Sequence, residues 1–506
     1  MILFDLLKQS AAKNPGAPAI IHRDSMITYD ELQALAEGFA GGLVSLGINR
    51  HARVAILLPN CPPFAVAYLG AGCAGVSVVP MNVLYRPDEA RFILEDSEAE
   101  VLVTEEPFRP LVEAVRPQLP NLKYVVMVAE DGILDGETDF RDLCASTEKG
   151  TPATDDDVAV ILYTSGTTGR PKGAMLTHRN LLANAASCAE VLSVGSDDCF
   201  LSALPLFHSF AAMVFLVLPV MVGARIQIME RFMPSHTLTL MEQSGATLFG
   251  GVPSMFSLML QAARENRPDL SALRICVSGG APLPPEIWQA FEEAFDVKMI
   301  EGYGLAEASP VVTVNPPYGV RKYGSIGPPI PGVKVKLVDE HGQEVPSGEV
   351  GELIFSGDNI MKGYLHKSEE TEQVLRDGWL YTGDLARMDE DGYLYIAGRK
   401  KELIIVGGLN VYPGEVERVL SEHPSVSEAA AFGVPDQSRG EAVWAAVVLH
   451  PETEAAEKEL QALCREKLAS RKVPRGIEIR GELPKNALGK VMRRVLSDEV
   501  SRLRNR

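Results

Sequence analysis

A loop at residues 163–175, with the sequence YTSGTTGRPKGAM, constrains this chain more than any other stretch. The apolar run before it, residues 158–162, is typical of a buried strand, and a helical pattern begins near Asn180, so we predict a strand-to-helix loop. Glycines let the backbone curl, hydroxyl groups add hydrogen-bond donors, and Lys172 adds a mobile positive charge. These features indicate a cradle for an anion, and phosphate fits best.

The loop lacks the Walker A pattern, which would require glycine where this chain has Pro171. A mononucleotide kinase with a P-loop is therefore disfavoured. A plain surface loop would also contain Ser, Thr and Gly, but it would not explain why these residues and a lysine directly follow an apolar strand.

The same thirteen residues resemble the signature loop of the AMP-forming adenylate synthetases. This superfamily comprises acyl-CoA synthetases, peptide-synthetase adenylation domains and firefly-type luciferases, and its signature loop holds the β- and γ-phosphates of ATP. The resemblance implies this role for Thr164, Ser165, Gly166, Thr167, Thr168 and Lys172.

The fold class follows from the alternation of strand-like and helical patterns along the chain. Strand-like runs at residues 54–58, 76–79 and 124–127 are separated by helical patterns, which predicts parallel α/β layers. After residue 327 the pattern alternates with a period of two, as at residues 333–338, which predicts a β-barrel or β-sheet region. We expect α/β plus α+β architecture: a large N-terminal domain of layered α/β sheets with a β-barrel-like subdomain, and a small mobile C-terminal domain.

Domain number and cellular class follow from length, charge and cysteines. A chain of 506 residues is too long for one core, and the resemblance divides it into residues 1–398, a hinge at 399–401, and residues 402–506. The net charge of -19 argues against nucleic-acid binding. Prolines and polar residues interrupt the long uncharged runs, and the first residues lack a basic n-region, so we expect neither a transmembrane helix nor a signal peptide. Seven cysteines without C-x-x-C spacing predict reduced thiols in a cytoplasmic protein.

Two motifs are implied to form the acyl pocket. The run PLFHSF contains Phe207 and His208, and a lone histidine among aromatic residues is more often a core residue than a catalytic one. The resemblance reverses that expectation and places both residues in the acyl pocket, with His208 also in a catalytic role. The run SGGAP would border adenine and the acyl group through Gly279, Gly280 and Ala281, although an α/β fold needs a turn there in any case.

The run EGYGLAE resembles the Y-G-x-T-E motif of the superfamily. Tyr303 would stack on adenine, with Gly302 and Gly304 lining the acyl pocket. Glu307 would be catalytic by coordinating Mg²⁺, a hard cation that suits carboxylate oxygens. Ala306 lies where the superfamily usually has a threonine whose hydroxyl reaches the α-phosphate, so we expect weaker adenylate binding.

Three charged residues further along the chain are implied to bind the nucleotide or to form the hinge. Asp384 would accept hydrogen bonds from both ribose hydroxyls, and Arg399 would contact the ribose or the phosphates. Lys401 would be the pivot of the small domain. A short basic run of this kind is otherwise typical of a solvated turn.

The C-terminal motifs are implied to handle coenzyme A and the reacting carboxylate. Gly407 and Gly408 would lie along the pantetheine arm, where glycine permits close approach. Lys490, in the run ALGKVMRR, would bridge the acyl carboxylate and the α-phosphate. The basic bias between residues 465 and 494 would suit the phosphates of coenzyme A.

The resemblance covers nearly the whole chain and implies a two-step ligase that uses ATP, Mg²⁺ and coenzyme A. A carboxylate attacks the α-phosphorus of ATP, giving acyl-AMP and pyrophosphate, and the thiol of coenzyme A then displaces AMP. In the stretches expected to line the acyl pocket, residues 207–215, 250–256 and 302–310, no basic residue other than His208 stands out. A dicarboxylate is therefore disfavoured, and a medium- or long-chain fatty acid is favoured.

Several alternatives stay open at this point. An aryl acid could replace the fatty acid, and a carrier protein could replace free coenzyme A. A non-enzymatic sensor of acyl groups or nucleotides is a third alternative, which only Ala306 supports. The sequence leaves the oligomeric state open, with a homodimer as one option.

Overall fold

The computed structural model describes residues 1–129, 132–164, 170–264, 267–436, 439–485 and 491–504. Its strands are, in chain order, β1 (Pro18–His22), β2 (Ser25–Thr28), β3 (Arg53–Leu57), β4 (Ser77–Pro80), β5 (Val101–Glu105), β6 (Tyr124–Val128), β7 (Glu137–Asp139), β8 (Val158–Thr164), β9 (Lys172–Thr177), β10 (Cys199–Ser202), β11 (Arg225–Ile228), β12 (Leu248–Gly251), β13 (Ile275–Ser278), β14 (Lys298–Gly304), β15 (Val311–Val314), β16 (Lys334–Val338), β17 (Gly351–Ser356), β18 (Gly363–Tyr364), β19 (Leu375–Arg376), β20 (Trp379–Met388), β21 (Leu394–Arg399), β22 (Ile404–Val406), β23 (Leu409–Val411), β24 (Val426–Asp436), β25 (Gly440–Leu449) and β26 (Gly476–Arg480).

The α-helices are, in the same order, α1 (Leu3–Lys13), α2 (Tyr29–Ser45), α3 (Pro62–Gly70), α4 (Pro87–Asp96), α5 (Arg109–Val115), α6 (Phe140–Cys144), α7 (His178–Leu192), α8 (Ser209–Ala212), α9 (Leu218–Val222), α10 (Pro234–Ser244), α11 (Pro253–Ala262), α12 (Pro285–Phe295), α13 (Ser368–Val374), α14 (Pro413–Ser421), α15 (Glu457–Lys467) and α16 (Arg493–Arg504). A π-helical turn, Met213–Val217, joins α8 to α9. Within the described ranges, every helix is too short or too polar to cross a lipid bilayer.

Two eight-stranded sheets confirm the predicted α/β layering. Their strand orders are β15-β14-β13-β12-β10-β11-β1-β2 and β18-β9-β8-β4-β3-β5-β6-β7. The strands separated by helices pair in parallel, and the antiparallel pairs lie towards the sheet ends. Central strands such as β5 are apolar and buried on both faces, as parallel strands between helical layers must be.

The β-rich region predicted after residue 327 forms a five-stranded sheet of order β16-β17-β20-β19, in which β21 also pairs with β20. A second five-stranded sheet, of order β23-β22-β25-β24 with β26 parallel to β25, lies near the C-terminus. Helices α14, α15 and α16 pack on that second sheet around a core of Val, Ala and Leu side chains. This mixture confirms the predicted small α+β domain.

The chain divides into two compact units, which consist of residues 1–335 with 355–380 and of residues 336–354 with 381–506. The predicted domain limits at 398 and 402, with a hinge between them, stay predictions. Helix α2 starts with a capping box, in which the Thr28 N–H donates a hydrogen bond to the Glu31 carboxylate (2.8 Å).

The prediction of a strand-to-helix loop at residues 163–175 is wrong. Strand β8 pairs antiparallel with β9, and Thr164 lies opposite Lys172, so the loop closes a β-hairpin and α7 begins only after β9. Ala174 and Leu176 are fully buried, yet the strand between the glycine-rich loop and the helix is short and contains glycine. The sequence pattern therefore gave no clear strand signal.

Candidate active site

The hairpin places two predicted phosphate-binding residues opposite each other. Thr164 ends β8 and Lys172 begins β9, and both are half-buried. The Lys172 ammonium group lies 5.2 Å from the centre of the Tyr364 ring, a cation–π distance. Ser165, Gly166, Thr167 and Thr168 lie outside the described residues, and their phosphate-binding role stays a prediction.

Glu307 is connected to Lys172 through Tyr364. The Tyr364 hydroxyl donates a hydrogen bond to Glu307 Oε1 (2.8 Å), and the Met361 N–H donates to the Glu307 backbone carbonyl (2.8 Å). Burial and the Glu307 carboxylate both raise the pKa of the Tyr364 hydroxyl, which therefore keeps its proton and remains a donor. Tyr364 lies on the short strand β18, which pairs with β9, and no local sequence pattern predicted this pairing.

The surroundings of Glu307 fit a magnesium ion that substrate phosphates help to hold. Its carboxylate is half-buried and lies on the short 3₁₀ turn Ala306–Ala308. In the described ranges no group of three or more His, Cys, Asp or Glu side chains could form a cage of protein ligands. Mg²⁺ is commonly held by one or two carboxylates together with substrate phosphates.

Tyr303 lies on β14, opposite Thr313 of β15, and its ring is half-buried. The ring centre is 6.3 Å from that of Phe355, and the two planes are tilted by 33°. Of the neighbouring glycines, Gly304 leaves no space for a side chain, because a Cβ atom there would lie 2.2 Å from the Pro310 carbonyl oxygen. A Cβ atom at Gly302 would be 3.3 Å from the Thr313 carbonyl oxygen, which is tight but less severe. The acyl-pocket role of both glycines stays a prediction.

His208 caps the short helix α8. Its Nδ1 atom accepts a hydrogen bond from the Phe210 N–H (3.4 Å), and both His208 and Phe207 are half-buried. Burial lowers the pKa of the His208 imidazole, so the ring is neutral at pH 7. A neutral ring would not attract a second carboxylate, which agrees with the expectation that a dicarboxylic acid is disfavoured.

Aromatic rings lie where two stretches expected to line the acyl pocket, residues 207–215 and 250–256, come close to the predicted pocket residue Gly279. The Phe210 and Phe215 rings meet edge to face with centres 6.0 Å apart. A Cβ atom at Gly250 would lie 2.3 Å from the Phe215 ring, and one at Gly279 would lie 3.5 Å from the Phe210 ring. Phe215 is fully buried on the π-helical turn, a feature often found near functional sites. The wall that these residues form is entirely apolar.

Gly280 and Ala281 form an exposed turn after β13. The φ angle of Gly280 is +81°, in the region that favours glycine. The turn lies at the carboxyl end of a parallel strand, where open α/β sheets bind ligands. The adenine role of both residues stays a prediction.

The second unit brings the two predicted ribose-binding residues together. Asp384 on β20 pairs across the sheet with Arg399 on β21, and the Arg399 Nε atom lies 2.9 Å from Asp384 Oδ1. The Asp384 side chain is buried, whereas Arg399 is exposed. The Asp384 N–H also donates a hydrogen bond to the Thr382 hydroxyl (3.0 Å). The arginine therefore orients the carboxylate that is predicted to hold the ribose.

Lys401 is exposed on the 3₁₀ turn Lys400–Glu402. Its neighbour Lys400 forms an ion pair with Glu352 (2.7 Å), and Glu402 accepts a hydrogen bond from Arg493 (2.8 Å). Side-chain contacts thus hold the residues on either side of Lys401, and its role as the pivot stays a prediction.

Gly407 and Gly408 make the exposed turn between β22 and β23, with φ angles of +59° and +80°. The Gly407 N–H donates to the Arg439 carbonyl oxygen (2.7 Å), and the space where either Cβ atom would lie is open. Both the backbone angles and the open space agree with the predicted approach of a pantetheine arm.

A cavity of about 360 Å³ in the second unit has a strongly basic lining. Its arginines are Arg439, Arg465, Arg471 and Arg475. Arg475 also forms an ion pair with Asp436, which balances one of the four charges. The cavity lies in the region whose basic bias was noted in the sequence. Lys490 lies outside the described residues, and its role stays a prediction.

Two family models match the chain. The model of the AMP-binding enzymes matches residues 7–365, and that of the AMP-binding enzyme C-terminal domain matches residues 415–490. A long-chain-fatty-acid–CoA ligase of Bacillus subtilis (strain 168) is 38% identical, and the alignment covers 98% of this chain and 94% of that ligase. A feruloyl-CoA synthase of an Amycolatopsis species is 37% identical, with 96% of each chain covered.

Solved structures of similar fold also match nearly the whole chain. ATP-bound MatB from Rhodopseudomonas palustris superposes with a TM-score of 0.91 at 32% identity, covering 99% of this chain and 100% of that one. An anthranilate CoA ligase in complex with anthranoyl-AMP superposes with a TM-score of 0.90 at 31% identity, covering 100% of this chain and 98% of the ligase.

Proposed function

We propose that this chain, which belongs to the AMP-binding enzyme family, activates a medium- or long-chain fatty acid and transfers it to coenzyme A. It is an AMP-forming acid–thiol ligase, and the reaction class expected from the sequence is confirmed. The observation that carries the choice of acid is the 38% identity over 98% of the chain to a long-chain-fatty-acid–CoA ligase.

In the first half-reaction the chain's own residues position ATP and offset its charge. Lys172 and Thr164 form the last residue pair of β8 and β9 before the connecting segment, where they would contact the β- and γ-phosphates. Tyr303 would stack on adenine. Asp384, oriented by Arg399, would accept hydrogen bonds from the ribose hydroxyls. Such positioning and charge neutralisation account for most of the catalysis of phosphoryl and adenylyl transfer.

Glu307 would hold Mg²⁺ through its carboxylate, with Tyr364 fixing the orientation of that carboxylate. When bound, the ion would neutralise charge on the phosphates. Lys172 contacts the same tyrosine, since its ammonium group lies over the Tyr364 ring. The three side chains therefore act as one connected group.

In the second half-reaction the thiol of coenzyme A attacks the acyl carbon of acyl-AMP, the C–O bond to the phosphate breaks, and AMP leaves. The open turn at Gly407 and Gly408 would admit the pantetheine arm. The arginine-lined cavity of the second unit would attract the phosphates of coenzyme A. Free coenzyme A is therefore favoured as the acceptor over a carrier protein.

The apolar acyl wall favours a fatty acid over a charged acid. Phe210 and Phe215 meet above Gly250 and Gly279, and His208 is neutral there. An aryl acid is the second candidate, because the feruloyl-CoA synthase is nearly as similar in sequence and the wall contains aromatic rings. A cytoplasmic location and a homodimer stay predictions.

The test is ATP–pyrophosphate exchange and acyl-CoA formation with purified protein. The panel contains short-, medium- and long-chain fatty acids, ferulate and anthranilate. We expect the highest kcat/KM with a medium- or long-chain fatty acid, with free coenzyme A as acceptor. Turnover with aromatic acids alone would refute the fatty-acid assignment, and acyl-AMP formation without acyl-CoA would indicate a carrier-protein acceptor.

A further inference from the structure

A buried glutamate adjoins the candidate site, and none of the roles assigned above uses it. Glu301 lies on β14 with only 4% of its surface exposed, next to Ser278 on the parallel strand β13. No cation among the described residues forms an ion pair with it, and burial raises its pKa to about 8. Its side chain is therefore mostly a neutral carboxylic acid at pH 7.

The carboxyl group holds one end of the turn that contains Gly280 and Ala281. Its Oε1 atom accepts a hydrogen bond from the Leu283 N–H (3.1 Å). The first residue of the turn, Gly279, is held separately by the Gly251 carbonyl oxygen (3.2 Å). Since Pro282 and Pro284 have no N–H group, Leu283 is where the far end of the turn can be anchored through a backbone donor.

The strand that carries Glu301 also carries Tyr303. Residues two apart on a strand project from the same face, so Glu301 and Tyr303 lie on one face of β14. The Glu301 backbone carbonyl accepts a hydrogen bond from the Asn315 N–H (2.9 Å), which fixes this part of the strand. The carboxyl group therefore connects the turn to the strand that presents the tyrosine ring.

We propose that Glu301 is a positioning residue for nucleotide binding: its carboxyl group fixes the turn at residues 279–283 relative to Tyr303. The inference rests on the proposed function, because the adenine roles of Gly280, Ala281 and Tyr303 belong to that proposal. Only Oε1 is needed to accept the Leu283 N–H, since Glu301 Oε2 has no hydrogen-bond partner among the described residues. A glutamine side chain, whose amide oxygen is also an acceptor, should therefore keep the function of the glutamate.

The packing of Leu283 separates positioning from folding. Its side chain is buried in the same apolar cluster as Trp288, and we expect this packing to persist when the hydrogen bond is lost. Removal of the acceptor should therefore let the turn shift without unfolding the domain. The nucleotide would then bind to a turn that is no longer held in place.

The test compares Glu301→Met, which has similar bulk but no acceptor, with Glu301→Gln, which keeps it. For E301M we expect the KM for ATP and the Kd for AMP, measured by calorimetry, to rise at least about 5-fold, with kcat changed by less than about 2-fold. For E301Q we expect all three values within about 2-fold of those of the unchanged protein. The control is Glu292→Met, since Glu292 Oε1 accepts the Met299 N–H (2.8 Å) at the other end of the same strand. Glu292 also forms an ion pair with Arg321, so E292M removes at least as many contacts as E301M but none at the turn.

A drop in melting temperature for E301M, with AMP affinity unchanged, would overturn the proposal and leave Glu301 a structural residue. Equal losses in E301M and E301Q, or in E301M and E292M, would overturn it as well. If E301M does not fold, Glu301→Asp replaces it in the test, because the aspartate side chain is one methylene shorter and moves the acceptor away from the Leu283 N–H. Unchanged AMP affinity in folded E301D would contradict the proposal. AMP binding needs no acid substrate, so failure of the proposed acid to react is a separate result.

Discussion

At the residue scale, Ala306 leaves a methyl group where the superfamily usually has a hydroxyl that reaches the α-phosphate. We expect Ala306→Thr to tighten binding of a non-hydrolysable acyl-adenylate analogue by about 2- to 10-fold, the equivalent of one hydrogen bond worth about 0.5–1.5 kcal/mol. The residue is half-buried at the start of a 3₁₀ turn. Binding is measured by calorimetry.

Ala306→Val is the control, because valine has the shape of threonine without the hydroxyl. An equal gain in both variants would assign the effect to packing. No gain in A306T would show that Lys172 and the Mg²⁺ ion that Glu307 would hold already satisfy the phosphate.

Tyr364 gives a second prediction at this scale. Tyr364→Phe removes the hydrogen bond to Glu307 but keeps the ring beneath Lys172. Because a bond to a charged group is worth about 1.5–3 kcal/mol, we expect the Mg²⁺ concentration for half-maximal rate to rise at least about 10-fold. The measurement is a magnesium titration at saturating ATP and acid.

The control for Tyr364 is Tyr163→Phe. The Tyr163 hydroxyl donates to Asp96 (2.7 Å) from the neighbouring strand β8, so this variant loses a similar bond without contact to Glu307. A magnesium requirement that is the same in Y364F, Y163F and the unchanged protein would refute an orienting role for Tyr364.

At the level of single residues, motifs named the candidate site residues wherever the residue type itself indicates the chemistry, and the roles of those residues stay predictions. Asp384 and Arg399 were both predicted, and the structure adds that they are cross-strand partners. Tyr364 and Glu301 were not predicted in any role. Tyr364 reaches Glu307 because β18 pairs with β9, and Glu301 matters through a single backbone N–H. Neither contact follows from local spacing.

At the element scale, the strands of the parallel sheets were predictable because their short apolar runs alternate with helical patterns. Strand β9 was missed because its glycine and its short length resemble a loop. The error has a consequence for function: Lys172 lies on the rigid edge of a hairpin and not on a free loop. A strand fixes the position of the ammonium group more closely than a mobile loop would.

The contact between helices α1 and α7 gives a prediction of pH dependence. His178 begins α7 and is buried, and its Nδ1 atom accepts a hydrogen bond from the Leu3 N–H (3.2 Å) at the start of α1. Burial lowers the pKa of this imidazole to about 4. Between the pKa of a free histidine, about 6.5, and that value, the unfolded chain binds a proton that the folded chain does not.

The stability from His178 is therefore complete above about pH 6.5 and is lost as the pH falls towards about 4, by up to roughly 3 kcal/mol. His178→Gln keeps an acceptor but does not titrate. We expect the melting temperature of H178Q to fall less between pH 7.5 and pH 4.5 than that of the unchanged protein. Parallel pH curves for the two proteins would contradict the assignment.

At the scale of the whole molecule, the sequence predicted two domains, residues 1–398 and 402–506, and that division stays a prediction. Residues 336–354 group with the second unit although they precede its main segment. The reason is pairing between distant segments: the Thr382 hydroxyl donates to the Leu353 carbonyl oxygen (2.7 Å), and the Gly383 N–H donates to Glu352 (3.1 Å). Local patterns contain no information on such partners. The hinge at 399–401 is defined by movement and stays a prediction.

The last prediction concerns the division of the reaction between two half-reactions, which is a property of the whole chain. If Lys490 offsets the charge between the acyl carboxylate and the α-phosphate, it acts only while acyl-AMP forms. For Lys490→Ala we expect acyl-AMP formation to fall at least about 100-fold, as when one preorganised charge-stabilising donor is lost. Transfer from supplied acyl-AMP to coenzyme A should change by less than about 3-fold, because the lysine has no part in that step.

Lys485→Ala is the control for Lys490, since Lys485 precedes it by five residues and forms an ion pair with Glu428 (2.7 Å). We expect K485A to keep both half-reactions within about 3-fold, because the loss of an exposed ion pair costs less than about 1 kcal/mol. Each half-reaction is measured separately, by pyrophosphate release and by thioester formation from acyl-AMP. An equal loss of both half-reactions in K490A would mean that the lysine supports the fold of the second unit or coenzyme A binding instead of carboxylate activation.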